Sequence, residues 1–290
     1  MIQQLIRVPR KCLTLLVGRE PGCGLAKAVG DVWHGHTRPQ RVKAMQKRIR
    51  KLDCDEAEVE RWETPLGEFF VPVGGGIDVV LSELEDDDVY SAGGEATVNS
   101  GDIVFDCGAH VGAFTRMAIR AGAKHVVAIE ITPSTRECLE RNLSDEIAAG
   151  KVTVLDKGVW HSEQILSLST GMGALSNTVV DQRKADIQQN LTDSIDVPVT
   201  TIDNIADQLG FDSVDFIKMD IEGAERHAIQ GASQTLSKHK PKLAIAAYHL
   251  KDDRQEIRNA VLAQSASYRE VYGRCVLQHG GVAFETLFYV

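Results

Sequence analysis

Short apolar runs separated by helix-like segments recur through most of the chain. Three of these runs are each followed directly by an acid: 103–105 by Asp106, 125–129 by Glu130 and 152–155 by Asp156. Apolar runs of this length between turn signals are typical of buried parallel strands. Between the first two, apolar residues recur every three or four positions from Phe114 to Ala121, which predicts a helix. The pattern therefore predicts βα units with an acid at the carboxyl end of each strand.

The same alternation continues toward the carboxyl terminus. A run at 214–219, interrupted by Lys218, ends at Asp220, and a run at 241–249 ends at His249. The last two apolar segments, 268–276 and 283–290, have the spacing of a hairpin. Five βα steps followed by a hairpin predict a Rossmann-like α/β fold with a mostly parallel sheet and one antiparallel strand.

The first hundred residues follow a different pattern. Residues 1–54 form a basic arm, in which 40–52 is predicted to be helical, and residues 55–100 form a small α/β preface that would cap the crevice. Within the preface, 69–73 is predicted to be a strand and 77–81 its partner across a glycine turn. Tyr90 and Glu95 are candidates for the rim of the crevice. The domain proper spans 101–290 and includes a polar insertion at 161–200, which we expect to recognise an acceptor.

The glycine turn after the first strand identifies the class of ligand. Gly108 and Gly112 allow a tight strand-to-helix turn of the kind that binds nucleoside cofactors. A dinucleotide pyrophosphate prefers a G-x-G-x-x-G loop without a facing carboxylate, whereas here Asp106 leads into the loop. Glu130 follows 24 residues later, at the spacing expected of a residue that binds ribose hydroxyls. Together they predict S-adenosylmethionine (SAM), a cationic cofactor without phosphate.

A second group of polar residues lies in the segment DSVDFIKMDIEGAE. A buried ionised lysine needs a partner, so Lys218 is expected to pair with Asp220, Glu222 or Glu225. The pair could fix the loop or act in catalysis, and the residues alone leave both open. Asp220 and His249, each at a strand end, are candidate general bases. The carboxylates would permit Mg²⁺, but the charge of Lys218 disfavours a metal site.

Composition and charge restrict the partners of the protein. The chain has 290 residues, 43% apolar and 25% charged, as in a soluble globular protein, and it has no apolar stretch long enough to span a bilayer. Residues 1–51 carry 12 Lys and Arg against two acids, whereas the remainder carries 20 against 39. An acidic body argues against a nucleic acid substrate. Six cysteines without metal-binding spacing are expected to be reduced thiols, and the protein is predicted to be cytoplasmic.

The basic arm permits three interpretations. It could be a targeting leader, an amphipathic arm in peripheral contact with anionic lipid, or a helical cap on the acidic body or on a second subunit of a homo-oligomer.

With these motifs identified, the chain from about residue 80 to 290 resembles the FkbM family of class I SAM-dependent methyltransferases. The matching segments are VFDCGAHVGAFT with VVAIEITP, and the more specific DFIKMDIEGAE with TIDNI before it and PKLAIAAYH after it. The resemblance implies a seven-stranded sheet, SAM as cofactor, and methyl transfer to a hydroxyl of a sugar, polyketide or related small-molecule acceptor.

The resemblance also implies roles for individual residues. Asp106, Gly108 and Gly112 would hold the methionine end of SAM, Glu130 the ribose, Asp156 the adenine, and Asp220 with Glu222 the region of the methyl group. His110 stands where the family often has asparagine, and its ring can still form hydrogen bonds. Two alternatives stay open: an NAD-dependent oxidoreductase, and a SAM-binding partner protein without catalysis.

Overall fold

The computed structural model of the protein describes residues 22–85, 89–169, 178–179, 194–278 and 281–290. It begins with two short helices, α1 (Leu25–His36) and α2 (Arg38–Gln46). An antiparallel sheet of three strands in the order β1-β2-β3 follows, formed by β1 (Arg50–Leu52), β2 (Val59–Thr64) and β3 (Gly67–Pro72). Helix α3 (Ile77–Glu85) then leads toward the central domain.

Two local predictions in this region are wrong. The helix predicted over 40–52 ends at Gln46, because Arg50 pairs in register with Glu63 of β2 and continues the chain as a strand. The strand predicted over 77–81 is the start of α3. Its apolar residues Ile77, Leu81 and Leu84 fall on one helical face and are buried, a spacing that an alternating strand pattern cannot satisfy.

The central domain alternates strands and helices. Its strands are β4 (Ile103–Cys107), β5 (His125–Ile129), β6 (Val152–Leu155), β7 (Gly158–Val159), β8 (Gln164–Ser169), β9 (Thr178–Val179), β10 (Ser194–Thr200), β11 (Phe216–Met219), β12 (Lys242–Ala246), β13 (Glu270–Tyr272), β14 (Cys275–Gln278), β15 (Gly281–Phe284) and β16 (Thr286–Tyr289). Its helices are α4 (Ala113–Arg120), α5 (Pro133–Asn142), α6 (Ser144–Ala148), α7 (Ile202–Leu209), α8 (Glu225–Gln230), α9 (Ser233–Lys238) and α10 (Asp253–Gln264).

Seven of the strands form one sheet, in the order β13-β16-β12-β11-β4-β5-β6. Strand β16 runs antiparallel to both of its neighbours, and the pairs from β12 to β6 are parallel. This is the seven-stranded arrangement that the resemblance implies, and it confirms the predicted α/β fold with one reversed strand. The carboxyl ends of β4, β5, β11 and β12 consequently lie side by side at one edge, where open α/β sheets bind ligands.

Alternate residues of the central strands pack on opposite faces of the sheet. In β4, Phe105 joins one apolar cluster and Val104 the other, and Ile129 and Ala128 of β5 divide in the same way. Because both faces are covered, these strands are apolar almost throughout, and a charged residue such as Lys218 within them requires a partner.

The predicted insertion contributes a second sheet, in the order β7-β10-β8-β9. The strands expected near 165–169 and 197–201 are confirmed as β8 and β10, which pair antiparallel. Much of the remaining insertion, 170–177 and 180–193, lies outside the described residues, so its predicted role in acceptor recognition stays a prediction.

A disulfide joins the amino-terminal helices to the carboxyl-terminal hairpin. Cys23, which precedes α1, is bonded to Cys275 at the start of β14, although 252 positions separate them in sequence. The prediction of reduced thiols is wrong for this pair, because the fold brings together two cysteines that show no recognisable spacing. Cys54, Cys107 and Cys138 are free thiols, and Cys12 lies outside the described residues.

Within the described ranges, none of the helices combines the length and the apolar content required to cross a bilayer.

Candidate active site

A cavity of about 360 Å³ opens at the carboxyl ends of the central strands. It is bounded by the turn after β4, the end of β5 and the turn after β11, with helix α3 and Tyr90 covering it from the amino-terminal side. This volume falls within the usual range for sites that bind small ligands. The predicted crevice is therefore present, and most of the predicted residues can be placed relative to it.

The glycine turn after β4 is shaped by contacts within the protein. Gly108 has φ +79°, and a Cβ there would lie 2.0 Å from the carbonyl oxygen of Asp220. Gly112 precedes α4 with φ +85°, and a Cβ would lie 2.8 Å from Leu143. Both residues must therefore be glycine for conformation and packing. Gly108 lines the cavity and Gly112 does not, so the expected close approach of a ligand applies to Gly108.

Asp106 and Lys218 form a buried ion pair beneath the cavity. Lys218 Nζ lies 3.1 Å from Asp106 Oδ1 and donates a hydrogen bond to the Gly108 carbonyl at 2.6 Å. Asp106 is fully buried and also accepts a hydrogen bond from the Thr115 hydroxyl at 2.6 Å. The partner of Lys218 is therefore Asp106, opposite it in register on the neighbouring strand, and not one of the three carboxylates predicted.

This ion pair changes the role expected of Asp106. Its side chain does not line the cavity, and its charge is balanced by Lys218, which does. The pair holds the glycine turn through the bond from Lys218 to Gly108. Asp106 therefore positions the turn. Its side chain does not face the cavity, where the ammonium group of a cofactor would bind.

Glu130 stands at the end of β5 with both carboxylate oxygens oriented by the backbone. Oε2 accepts a hydrogen bond from the His110 amide at 2.9 Å, and Oε1 accepts one from the Thr132 amide at 2.8 Å. Burial raises the pKa of Glu130, and these amide donors act in the opposite direction. The Thr132 hydroxyl also donates a hydrogen bond to this carboxylate, which has about four acceptor positions when ionised, so one remains for a hydroxyl group of a ligand.

His110 presents a polar side chain to the cavity. Burial, and then the charge of Lys218, lower its pKa to about 4, so its imidazole is neutral. Among the residues that the structure describes, neither buried ring nitrogen has a hydrogen-bond partner. Such groups are costly unless something binds them. Its φ of +51° is also unusual for a residue with a side chain, as expected where a backbone is shaped for a ligand.

Asp220 is the acceptor at the centre of a hydrogen-bond network. The Tyr90 hydroxyl donates to its Oδ2 at 2.6 Å, and the Tyr248 hydroxyl donates to its Oδ1 at 3.2 Å. Burial and the Asp220 charge raise the pKa of Tyr90 well above its ordinary value, so this phenol keeps its proton. Tyr90, predicted at the rim, thus contacts the site directly. Tyr248 was missed, although its position next to His249 at a strand end was a usable signal.

His249 lies among three carboxylates. Nδ1 is 3.2 Å from Glu225, and Nε2 is 3.4 Å from Asp220 and 3.5 Å from Glu222. Burial alone would lower its pKa, but the three carboxylates, Glu225 foremost, outweigh burial and raise the pKa to about 9. His249 is consequently an imidazolium at neutral pH. This protonation state argues against its predicted role as a general base.

Glu222 is the carboxylate best placed to exchange a proton. It lines the cavity, and burial, partly offset by His249 and reinforced by Asp220 and Glu225, raises its pKa from 4.5 to about 7. Its φ of +57° places it in the left-handed region, as for His110. A carboxyl group with a pKa near neutrality in a cleft is typical of a functional site.

Two residues predicted near the ligand, Asp156 and Glu95, lie elsewhere. Asp156 is exposed and does not line the cavity. Glu95 forms an ion pair with Arg269 at 3.4 Å. In this region strand β6 is followed at once by β7, and it is Gly158 and Val159 of β7 that reach the cavity.

The charges around the cavity favour a cation. Among the described residues that line it, the acids are Glu83, Glu130, Asp220 and Glu222, and the cationic residue is Lys218, already paired with Asp106. Glu83 is paired with Arg38, and one imidazolium, His249, lies against both Asp220 and Glu222, so the carboxylates remain in excess. An excess of carboxylates in a partly enclosed site attracts a positively charged ligand and repels a pyrophosphate. The carboxylates that face the cavity therefore do not include Asp106, one of the residues from which a cationic cofactor was predicted.

The sequence between residues 106 and 270 matches the family model described as the methyltransferase FkbM domain, which covers more than half of the 290 residues. The chain belongs to the FkbM methyltransferase family. The suspected resemblance is thus confirmed, and the NAD-dependent oxidoreductase is not supported. In this FkbM-family protein the matched region begins at Asp106 and contains the glycine turn, Glu130, Lys218, Asp220 and His249.

Several solved structures are similar to this FkbM-family chain. Methyltransferase FkbM from Methylobacillus flagellatus KT is 21% identical with a TM-score of 0.49, covering 89% of this chain and 61% of that one. Precorrin-6y C5,15-methyltransferase from Geobacter metallireducens GS-15 is 12% identical with a TM-score of 0.37, covering 67% and 80%. A structure of PRMT6-SAH is 20% identical with a TM-score of 0.32, covering 55% and 40%. The chain therefore spans 61% of the length of the M. flagellatus protein. No curated protein sequence matches it.

Asp220, Glu225 and His249 are also close enough together to hold a metal ion, with ligand atoms within 4.8 Å of one another. His249 would have to lose its proton first, and its raised pKa opposes this. The expectation of no metal stays a prediction that chelation can test.

Proposed function

We propose that this protein is a SAM-dependent methyltransferase that transfers the methyl group to a hydroxyl oxygen of a small metabolite, such as a sugar or polyketide. The observation that carries the proposal is the cavity at the sheet edge, where four acids and Lys218 surround a neutral His110 with unpartnered ring nitrogens. This set of residues fits a cationic adenosine cofactor without phosphate.

The residues divide the binding of SAM among them. Glu130 would accept a hydrogen bond from a ribose hydroxyl, since its bonds to His110 and Thr132 fix its orientation and leave an acceptor position unused. His110 and Gly108 would contact the methionine end, and Asp220 and Glu222 would face the positive sulfur. When bound, SAM supplies an electrophilic methyl group. The protein mainly has to align the acceptor with it, and alignment alone can contribute up to roughly 7–11 kcal/mol in favourable models.

The acceptor hydroxyl must also lose its proton, and Glu222 is the base that we propose. With a pKa of about 7, Glu222 is substantially ionised at neutral pH and can accept a proton. His249, as an imidazolium, would hold Asp220, Glu222 and Glu225 in place. Asp220 would orient the acceptor together with the Tyr90 and Tyr248 hydroxyls that it binds. Lys218 acts on the cofactor side by holding the turn at Gly108.

The first test is calorimetric titration with S-adenosylhomocysteine, followed by turnover of methyl-labelled SAM with hydroxylated metabolites. Binding, and a labelled product whose methyl carbon is bonded to oxygen by NMR, are expected. Glu222→Gln should retain the affinity for S-adenosylhomocysteine within about threefold while lowering turnover by on the order of a hundredfold or more. Methylation at nitrogen or carbon would refute the hydroxyl specificity, and unchanged turnover would remove Glu222 as the base.

A SAM-binding protein without catalysis is the second candidate, and binding without turnover would favour it. A cytoplasmic location is also part of the proposal, but the Cys23–Cys275 disulfide is more typical of an oxidising compartment.

A further inference from the structure

Helix α1 is apolar on its outer side as well as on its inner side. On the inner side, Ala28 is fully buried in the core. On the outer side, Leu25, Val29 and Trp33 follow one another at intervals of four residues, which places them on one face of the helix. They are 45%, 49% and 71% exposed. A helix that is apolar all round is normally covered on every side, so this outer face indicates a binding surface.

The outer face of α1 carries no fixed charge and is held in a fixed orientation. Its residues, all exposed, are Leu25, Ala26, Val29, Gly30, Trp33 and His36. The two ionised side chains of the helix, Lys27 and Asp31, are partly buried and pair with each other at 2.7 Å. The helix is tied to the body by the Cys23–Cys275 disulfide and by a hydrogen bond from the Cys275 amide to Asp31 at 2.9 Å. A partner could therefore cover this face without removing an ionised group from water.

The charge of the chain around this face favours an anionic partner. Residues 1–51, which contain α1, carry 12 Lys and Arg against two acids, whereas the remainder carries 20 against 39. Lys43 in α2 and Lys47 at its carboxyl end are exposed. Residues 1–21 lie outside the described ranges, but their sequence adds four Lys and Arg against one acid just before α1. An anionic surface would attract this end of the protein and repel the acidic body.

A second copy of the chain fits this face less well than a lipid surface does. A symmetric dimer brings the same patch of each copy together, and here both copies would carry the same positive charge. The area is also small, because an aromatic side chain buries about 150–250 Å² and a standard interface needs about 800 Å² per partner. Three partly exposed side chains fall short of that area. At a bilayer surface, by contrast, binding needs no minimum area and grows with each apolar side chain that inserts.

We propose that the outer face of α1 binds reversibly to a bilayer surface that contains anionic lipid. Leu25, Val29 and Trp33 would lie at the boundary between the headgroups and the acyl chains, a depth that suits the amphipathic ring of tryptophan. The basic residues of 1–51 would lie near the charged headgroups, and the acidic body would face water. None of the three apolar residues lines the proposed cofactor cavity, so this interaction does not depend on the proposed reaction.

The experiment measures co-sedimentation of the full chain with vesicles of phosphatidylglycerol and phosphatidylcholine, and with vesicles of phosphatidylcholine alone. The anionic vesicles are expected to bind at least about tenfold more tightly than the neutral ones. Trp33→Ala should weaken binding to the anionic vesicles by about tenfold, because a large apolar side chain no longer inserts. Ile165→Ala is the matched control, because Ile165 on β8 is also 71% exposed. It should bind the vesicles as wild type does, and circular dichroism should show both variants folded.

Tryptophan fluorescence separates insertion of α1 from attraction by charge alone. Of the three tryptophans, Trp33 is exposed, whereas Trp62 is partly buried and Trp160 is buried. Anionic vesicles should shift the emission of wild type to shorter wavelength. Trp33→Phe should remove this shift and keep the vesicle affinity within about threefold, because phenylalanine is still a large apolar side chain.

Four results would overturn the proposal. They are no binding to anionic vesicles, equal binding to both kinds of vesicle, equal affinities of Trp33→Ala and Ile165→Ala, and a fluorescence shift that persists in Trp33→Phe. Light scattering is measured alongside. A dimer that Trp33→Ala dissociates, in a protein that does not bind vesicles, would assign the outer face of α1 to a second copy of the chain instead.

Discussion

Replacing Lys218 with methionine should strongly destabilise the protein. Lys218 and Asp106 are 4% and 0% exposed, and their charged atoms are 3.1 Å apart. Methionine preserves most of the side-chain volume but leaves the Asp106 carboxylate buried without a positive partner, next to the Thr115 hydroxyl. Breaking a buried ion pair from one side typically costs about 3–5 kcal/mol. The equilibrium constant of unfolding should therefore rise by roughly two to four orders of magnitude.

The measurement is urea unfolding of wild type and variants, followed by circular dichroism. Lys51→Met is the matched control, because Lys51 pairs with Glu60 at 2.7 Å while 55% exposed. Such surface pairs contribute about 0–1 kcal/mol. A double variant, Lys218→Met with Asp106→Leu, should recover part of the loss, since apolar replacement of both partners removes the buried charge. A loss below about 1 kcal/mol for Lys218→Met, or a double variant no more stable than the single one, would refute the reasoning.

Three further outcomes follow from the described contacts. Glu130→Gln should weaken binding of S-adenosylhomocysteine by about tenfold or more in calorimetry, because hydrogen bonds to a charged group are worth about 1.5–3 kcal/mol. Glu140→Gln, an exposed control, should bind S-adenosylhomocysteine as wild type does. Equal affinities of Glu130→Gln and wild type would contradict the ribose role. The folded pKa of His249, about 9, exceeds its ordinary 6.5, so its contribution to stability is present below pH 6.5 and is lost as pH rises through 9. The free energy of unfolding should fall by about 2–3 kcal/mol over that pH interval in wild type but not in His249→Gln. If the free energy of unfolding depended on pH in the same way in both proteins, His249 would not be an imidazolium. Cys23→Ser should lower the free energy of unfolding by about 2–5 kcal/mol, as measured with urea. A reductant should destabilise wild type to a similar extent and leave the stability of the variant unchanged. A reductant that also destabilised the variant would show that the loss has a cause other than the disulfide.

The order of strands and helices in the central domain was predictable because it depends on local patterns. Apolar runs such as 125–129 are too short for helices and too apolar for exposed strands, so they indicate a buried parallel sheet wherever they occur. Local patterns predicted the wrong element where the same spacing of apolar residues is compatible with both a strand and a helix. The segment starting at Ile77 is compatible with a strand over five residues, and only its continued burial through Leu84 identifies it as a helix.

The sequence by itself determined the family, the sheet and which carboxylates stand at strand ends, because each strand end is marked by local apolar and turn residues. The tertiary structure alone decided which charges meet. Asp106 and Lys218 are 112 positions apart and become partners through the register of β4 with β11. The Cys23–Cys275 bond likewise joins the two ends of the chain. Ion pairs, perturbed pKa values and cavity walls depend on distances across the fold, which no local pattern encodes.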